Sequence, residues 1–534
     1  MNKQRIEIYD TTLRDGEQAA GVSFSLVGKL RIARRLDEFG IDVIEGGYAA
    51  SNPKDMEFFR RLREEGLSHA RLAAFGSTRR AHTAASEDRG LQALIEAQTP
   101  VCTIFGKSWL LHVREVLCTT EDENLAMIRD SVRFLKEQGR EVIYDAEHFY
   151  DGYRDDPGYA LKTLKAAEEG GADRLVLCDT NGGSLPEEIH AVTEAVAEAC
   201  TTPLGVHAHN DAELGVANSL AGVRAGATHV QGTINGIGER CGNANLVSIA
   251  PALFYKMGCD CLCGEASLRH LKSLARFMWE EANMRPYPKA PYVGDDAFAH
   301  KAGMHVDGVR KVPASFEHIE PEKVGAQRRV LISELSGASN VFLKAVEMGI
   351  DVDRKSPEVR EVLKQLEKLE REGYEYESAD ASFQMLIKKV LKSHKTFFDL
   401  EAFRVMVEKR SKSEPCMSEA TVKVNVGGET EFTVGEGDGP VDALNQALRK
   451  ALMRFYPSIA DVVLKDYRVR ILDPEEATAA RTRVLIESGD GRRVWGTVGV
   501  SENIIEASWE ALVDSVEYKL FLEEESGPEG GGGA

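Results

Sequence analysis

The 534-residue sequence contains no apolar run near the ~18 residues that a membrane-spanning helix needs. Its opening stretch, MNKQRIEIYD, has no apolar segment of the kind a secretory signal carries. Both absences fit a chain that stays in the cytoplasm. Positive charge is in deficit: 66 Lys and Arg stand against 86 Asp and Glu, a formal net charge of -20. Phosphate backbones and anionic bilayers are bound through Lys and Arg, so neither nucleic acid nor a membrane is an expected partner. Small anionic substrates stay open, because they need only local positive charge or a metal. The nine cysteines are an odd number and point to reduced thiols rather than a disulfide framework. Cys259, Cys261 and Cys263 lack the C-x2-C spacing and second ligand pair of a structural zinc site. A P-loop is missing too, since its first glycine would fall on Val101 ahead of Gly106-Lys107-Ser108. The glycines from Gly236 to Gly242 come at the eighth predicted strand, too late for a dinucleotide fingerprint.

What is present is a repeated alternation of strand and helix signals. Strands are predicted at IEIYD (6–10), VIEGGY (43–48), RLAAFG (71–76), VCTIFG (101–106), EVIYDAEHF (141–149), RLVLCDT (174–180), LGVHAHN (204–210) and HVQGTING (229–236). Between them, LVGKLRIARRLDEFG and DENLAMIRDSVRFLKEQG place apolar residues at i, i+3, i+4 and stop at glycine, as helices do. Strands alternating with helices imply parallel pairing, and eight such units match an α/β fold of the (β/α)8 TIM-barrel type. A doubly wound sheet is the alternative. Residues 1–285 form the expected barrel, ending in one more helix over 265–284. Prolines 286, 288 and 291 open a mostly helical linker region over 286–398. Residues 399–525 change to alternating strands (ATVKVNV, TEFTVG, DYRVRIL, RTRVLIES, RVWGTVGV) with two helices, each after a Thr-Val-Gly strand, which reads as a small α+β domain. Residues 526–534 form a Gly-rich tail expected to be disordered.

In such a barrel the chemistry sits at the C-terminal ends of the strands. The predicted ends carry Arg14 and Asp15, Glu45, Glu147 and His148, Asp179 to Asn181, the His207-Ala-His209-Asn-Asp run, and Asn235 with Glu239, Arg240 and Asn243 beyond it. His207 and His209 are two apart, so both imidazoles face one way. With Asp15, on the neighbouring strand of a closed barrel, they make a two-nitrogen, one-carboxylate set suited to a divalent ion that also holds a substrate oxygen. Asn243 is a candidate fourth ligand, although its spacing equally allows a loop-capping role. Arg14 can hold a carboxylate or stabilise an oxyanion, or form a salt bridge to Glu45 or Glu147. Thr180 can bind a carboxylate or cap a loop. Phe75, Phe105 and Tyr144, near strand ends, are candidates to line a methyl-sized substrate pocket or to serve as barrel packing.

DTTLRDGEQ, HAHND, NGIGERCGNANL and AFAHKAGMHVDG together resemble the motifs of the 2-isopropylmalate synthase, homocitrate synthase and citramalate synthase family of metal-dependent Claisen condensing enzymes. The resemblance continues through QRRVL and SELSGASN into the C-terminal domain, which looks like the family's allosteric dimer domain. It implies a TIM barrel that uses acetyl-CoA and a divalent metal (Mg²⁺, Mn²⁺, Zn²⁺ or Co²⁺) held by Asp15, His207, His209 and Asn243. It also implies that Arg14, Glu147 and His305 are catalytic, and that Arg14, Thr180 and Tyr144 bind the 2-oxo acid. By the same resemblance His305 serves the partner subunit of a homodimer, and the 399–525 domain binds an amino-acid effector, with isoleucine the expectation. Three features resemble the pyruvate-using branch most: GVSFS after DGEQ, the stretch from Tyr144 to Gly152, and Ile104 to Trp109. The implied reaction joins acetyl-CoA to pyruvate and hydrolyses the thioester, supplying isoleucine synthesis. One position departs from the family pattern: Phe316 stands where a tyrosine is usual. The alternatives are the same condensation on a larger 2-oxo acid, as in 2-isopropylmalate synthase, and a catalytically weak amino-acid-sensing homologue.

Overall fold

The computed structural model describes residues 3–50, 53–301, 303–330, 357–376, 378–390, 395–413, 415–473 and 480–526. The SELSGASN motif and the tail from residue 527 lie outside them. The chain divides into two compact units, 1–298 with 319–328, and 299–318 with 329–534.

In the first unit eight strands close into a barrel: β1 (Glu7–Asp10), β2 (Val43–Tyr48), β3 (Arg71–Ser77), β4 (Val101–Lys107), β5 (Glu141–Glu147), β6 (Arg174–Asp179), β7 (Leu204–Ala208) and β8 (His229–Gly232). All pairings are parallel and follow sequence order, and β1 closes on β8 with Glu7 opposite His229 and Asp10 opposite Gly232. The sheet therefore has no edge, which removes the doubly wound alternative. Helices between strands follow their local signals. Leu26–Phe39 starts where Ser25 Oγ accepts from the Gly28 N–H (3.0 Å) and ends at Gly40, whose φ of 92° suits glycine. The helix expected over 265–284 is instead two, Glu265–Leu268 and Leu271–Glu281.

The two-residue period of each strand sorts its side chains. Tyr9, Val43, Ala73, Val101, Ile143 and Val176, with Cys178, point inward and form one apolar cluster. Ile8, Ile44, Leu72, Ile104, Tyr144 and Leu177 point outward and pack under the helices. One step toward the strand ends the inward positions turn polar: Glu45, Thr103, Asp145, His207 and Gln231 are all buried. A buried polar layer is stable only if its members are hydrogen-bonded to one another.

In the second unit two antiparallel three-stranded sheets recur, each followed by a helix. Asp399–Glu408, Met417–Val426 and Glu429–Gly437 precede Pro440–Met453; Val463–Ile471, Thr482–Gly489 and Val494–Ser501 precede Ile504–Ser526. The helix Pro440–Met453 buries Ala443, Leu444, Ala447, Leu448, Ala451 and Leu452, one face of a 3.6-residue period. The strand Asp399–Glu408 is absent from the sequence reading, because most of its residues are exposed and no buried face imposes an alternation. Among the described residues no helix is long and apolar enough to cross a membrane.

Candidate active site

The polar layer resolves into two hydrogen-bonded groups that hold the mouth of the barrel. In the first, Glu45 accepts from Tyr9 Oη (2.5 Å), Thr11 Oγ1 (2.5 Å) and Arg14 Nε (2.6 Å). Arg14 also donates from Nη1 to Asp15 Oδ2 (3.0 Å), and its guanidinium lies 3.8 Å from the centre of the Phe75 ring. Phe75 in turn stacks on Phe105 at 5.5 Å. The arginine is thus fixed by two carboxylates and an aromatic face, with little rotamer freedom left.

In the second group His207 Nδ1 lies 3.0 Å from Gln231 Oε1, and Gln231 Nε2 donates to Asp145 Oδ1 (3.0 Å). An amide oxygen can only accept, so Nδ1 carries the hydrogen and Nε2 presents a lone pair. Burial pushes the Asp145 carboxyl well above its ordinary value.

Nε2 of His207 and Nε2 of His209 lie 3.9 and 3.8 Å from Asp15 Oδ2. Among the described residues Asp15, His207 and His209 form a buried trio whose ligand atoms lie within 4.8 Å of one another. Burial, with the neighbouring His209 ring, lowers the His207 pKa to about 3, so its imidazole is neutral. Burial acts to raise Asp15, but Arg14 and the two imidazoles outweigh it and hold the carboxyl at about 2. Two neutral nitrogens and one carboxylate are therefore ready at neutral pH. Asn243 Nδ2 donates to Asp15 Oδ1 (2.8 Å), while Asn243 Oδ1 and His209 Nδ1 are buried with no hydrogen-bond partner. An orphaned amide oxygen beside this trio fits a cation and is costly without one. Gly238 makes room for that amide, because a Cβ there would stand 2.1 Å from Asn243 Nδ2.

Two expectations are corrected. Asp15 is not on the strand next to β7; β8 intervenes, ending at Gly232, and Asn243 bridges toward His209 beyond it. Tyr144 does not line the lumen. It alternates with the inward Ile143 and Asp145, is fully buried under the helix layer, and packs against Gly106 and beside Thr163. Phe75 and Phe105 do face the lumen. Thr180 is half-buried, and its Oγ1 accepts from the His148 N–H (2.9 Å), leaving its own hydrogen available to donate. Glu147 ends β5 and is ion-paired with Lys107. His305 lies on the helix Gly303–Lys311 in the second unit, exposed, with its ring 4.5 Å from that of Phe316. Tyr9, Thr103, Asp145 and Gln231 are not among the sequence candidates. Their signal was an isolated polar residue at an inward position of an otherwise apolar strand, as in VCTIFG and HVQG.

Residues 5–274 match the HMGL-like family, residues 292–373 the homocitrate synthase post-HMGL domain-like family, and residues 377–520 the LeuA allosteric (dimerisation) domain. The chain belongs to the HMGL-like family, whose pattern covers the whole barrel. It is 53% identical over 520 residues to the (R)-citramalate synthase of Geobacter sulfurreducens, covering 97% of this chain and 98% of that one. The (R)-citramalate synthase of Aquifex aeolicus is 53% identical over 526 residues, 98% of this chain and 99% of that one. That of Streptomyces coelicolor is 46% identical, with 96% of each chain covered.

Proposed function

We propose that this protein condenses acetyl-CoA with pyruvate and hydrolyses the thioester, releasing (R)-citramalate and CoA. The observation that carries the reading is the buried trio of Asp15, His207 and His209 beside a doubly anchored Arg14, in a chain similar along nearly its whole length to proteins named (R)-citramalate synthase.

Asp15, His207 and His209, with Asn243 Oδ1, would hold a divalent ion, which when bound polarises the keto group of pyruvate. Arg14 supplies a fixed positive charge beside the same position, where negative charge develops on the former keto oxygen. Its anchoring by Glu45 and Asp15 means that little reorganisation accompanies that change. Thr180, through its available hydroxyl hydrogen, holds the pyruvate carboxylate. Phe75 and Phe105 form the apolar wall against which the pyruvate methyl packs; one extra methylene changes such a fit by only ~1–3 kcal/mol. The acetyl methyl must lose a proton, and His305 of one subunit serves the barrel of its partner for that step, with Glu147 assisting. A homodimer built on the 377–520 domain is therefore part of the active unit, and that domain is the place for an isoleucine effector.

The test is release of CoA thiol by the purified protein given acetyl-CoA and a divalent metal. Pyruvate, 2-oxobutyrate, 2-oxoisovalerate and 2-oxoglutarate are run side by side. Pyruvate is expected to be preferred and the activity to disappear with EDTA. Preference for a larger keto acid would keep the chemistry and overturn the substrate; no thiol release with any of them would overturn the reading.

A further inference from the structure

The proposed reaction has two halves, and the residues named so far serve the first. Condensation leaves a thioester, and its cleavage needs a water and a base to take that water's proton. Most carboxylates at the mouth are already committed: Glu45 accepts three hydrogen bonds, Asp15 faces two imidazoles, and Glu147 is paired with Lys107. Next to Glu147 stands an Asp–His pair that nothing above employs.

His148 follows the last residue of β5 in the left-handed region, at φ 55° and ψ 36°. A non-glycine residue there is uncommon and persists only where its surroundings fix it. They do. The His148 N–H donates to Thr180 Oγ1 (2.9 Å), and Nδ1 lies 3.3 Å from Asp151 Oδ2. Asp151 also accepts from Asn181 Nδ2 (3.0 Å) and Arg154 Nη1 (3.1 Å), so the carboxylate is itself held in place. The imidazole meets the His112 ring edge-on at 4.4 Å and lies 5.9 Å from Trp109. His112 opens a π-helical turn, His112–Val116, a distortion found often at functional sites. With Asp151 accepting from Nδ1, the His148 lone pair is on Nε2, the arrangement of a base oriented by a carboxylate. The Thr180 loop ties this pair to the metal trio: Arg240 donates to the Thr180 carbonyl (2.6 Å), and the His209 N–H to the carbonyl of Asp179 (3.1 Å).

We propose that His148, oriented by Asp151, is the general base for thioester hydrolysis, an inference that rests on the functional reading above. Nε2 takes a proton from water as the water oxygen bonds to the thioester carbonyl carbon. The tetrahedral adduct then collapses with cleavage of the C–S bond. The electron pair leaves on sulfur, the CoA thiolate receives the proton back from His148, and the new carboxyl group gives up water's second proton to solvent as citramalate departs.

The experiment separates the two halves. Synthetic citramalyl-CoA is given to the wild-type protein and to His148→Asn and Asp151→Asn, and thiol release is followed. Asparagine accepts the left-handed backbone better than most residues, so His148→Asn keeps the turn. In parallel, acetyl-CoA consumption and thiol release are measured independently with pyruvate. His148→Asn is expected to slow hydrolysis of citramalyl-CoA on the order of 10²-fold, and to let that thioester accumulate during condensation. Asp151→Asn shifts both readouts the same way by less. Unchanged hydrolysis by His148→Asn would overturn the inference. So would a parallel fall of acetyl-CoA consumption and thiol release without accumulation, since a structural role predicts that pattern. A wild-type protein that consumes no acetyl-CoA with pyruvate would instead defeat the functional reading, and the citramalyl-CoA arm would still decide on His148.

Discussion

The barrel mouth and the segment around His305 both serve the proposed condensation, and they are built in opposite ways. At the mouth Asp15, His207 and His209 are buried, and the groups beside them are held from several sides: Arg14 by Glu45, Asp15 and Phe75, and His207 by Gln231, itself held by Asp145. On the helix Gly303–Lys311 the neighbouring Met304 is 85% exposed, His305 is exposed, and its ring partner Phe316 is 44% exposed. A buried, cross-bonded set is preorganised before substrate arrives, whereas an exposed imidazole gains its geometry from whatever covers it. This contrast supports the proposal that a second subunit covers His305 and completes the site.

The strongest way to break the comparison is at the mouth. Asp15→Ala removes the only carboxylate of the trio and is expected to abolish turnover and metal retention, while a thermal melt still reports a folded barrel. An active Asp15→Ala protein would defeat the metal assignment. His305→Ala comes next, with a loss of ~10²–10⁴ in kcat, the range of a general acid–base group. Co-expressing the two inactive variants sharpens the point. If His305 serves the partner's barrel, a mixed dimer regains one intact site, and activity returns to about a quarter of wild type for random pairing. If it serves its own barrel, the mixture stays inactive.

The same contrast explains what was legible in the sequence. The barrel could be read from the strand–helix alternation, and Asp15, His207 and His209 from their positions at strand ends. Gln231 and Asp145 could not, because a polar residue inside a strand acquires meaning only when the closed sheet turns it toward another one. Tyr144 was misplaced for the same reason: proximity to a strand end does not give the face, and parity with the inward Ile143 does. The strand Asp399–Glu408 was missed because an exposed strand has no buried face to impose a pattern.

Gln231→Leu attacks the mouth one step back from the trio. It removes the acceptor that fixes the His207 tautomer and leaves the Asp145 carboxyl without its amide donor. Outer partners of a metal-ligating histidine typically contribute ~10–100-fold in affinity, and a loss in that range is expected in a chelator-competition titration with Mn²⁺. Gln231→Glu offers a charged acceptor in the same place and should restore or tighten binding. If both variants bind like wild type, the His207 orientation is set by packing alone.

The smallest effect is expected at Phe316. The ring lies 4.5 Å from the His305 ring at 33°, and a Cβ on Gly308 would meet its edge at 2.3 Å. It therefore fills space against the helix that carries His305, a packing role that a hydroxyl does not disturb at a half-exposed edge. Phe316→Tyr adds that hydroxyl with no other change and should alter kcat by less than ~3-fold, roughly 0.6 kcal/mol in barrier height. Phe316→Ala should cost more, through lost support for the histidine, and should raise the KM for acetyl-CoA along with lowering kcat. A tenfold or larger gain in kcat from Phe316→Tyr would reverse this ranking. The phenyl ring would then be a missing proton relay, and the exposed segment, rather than the buried mouth, would limit the rate.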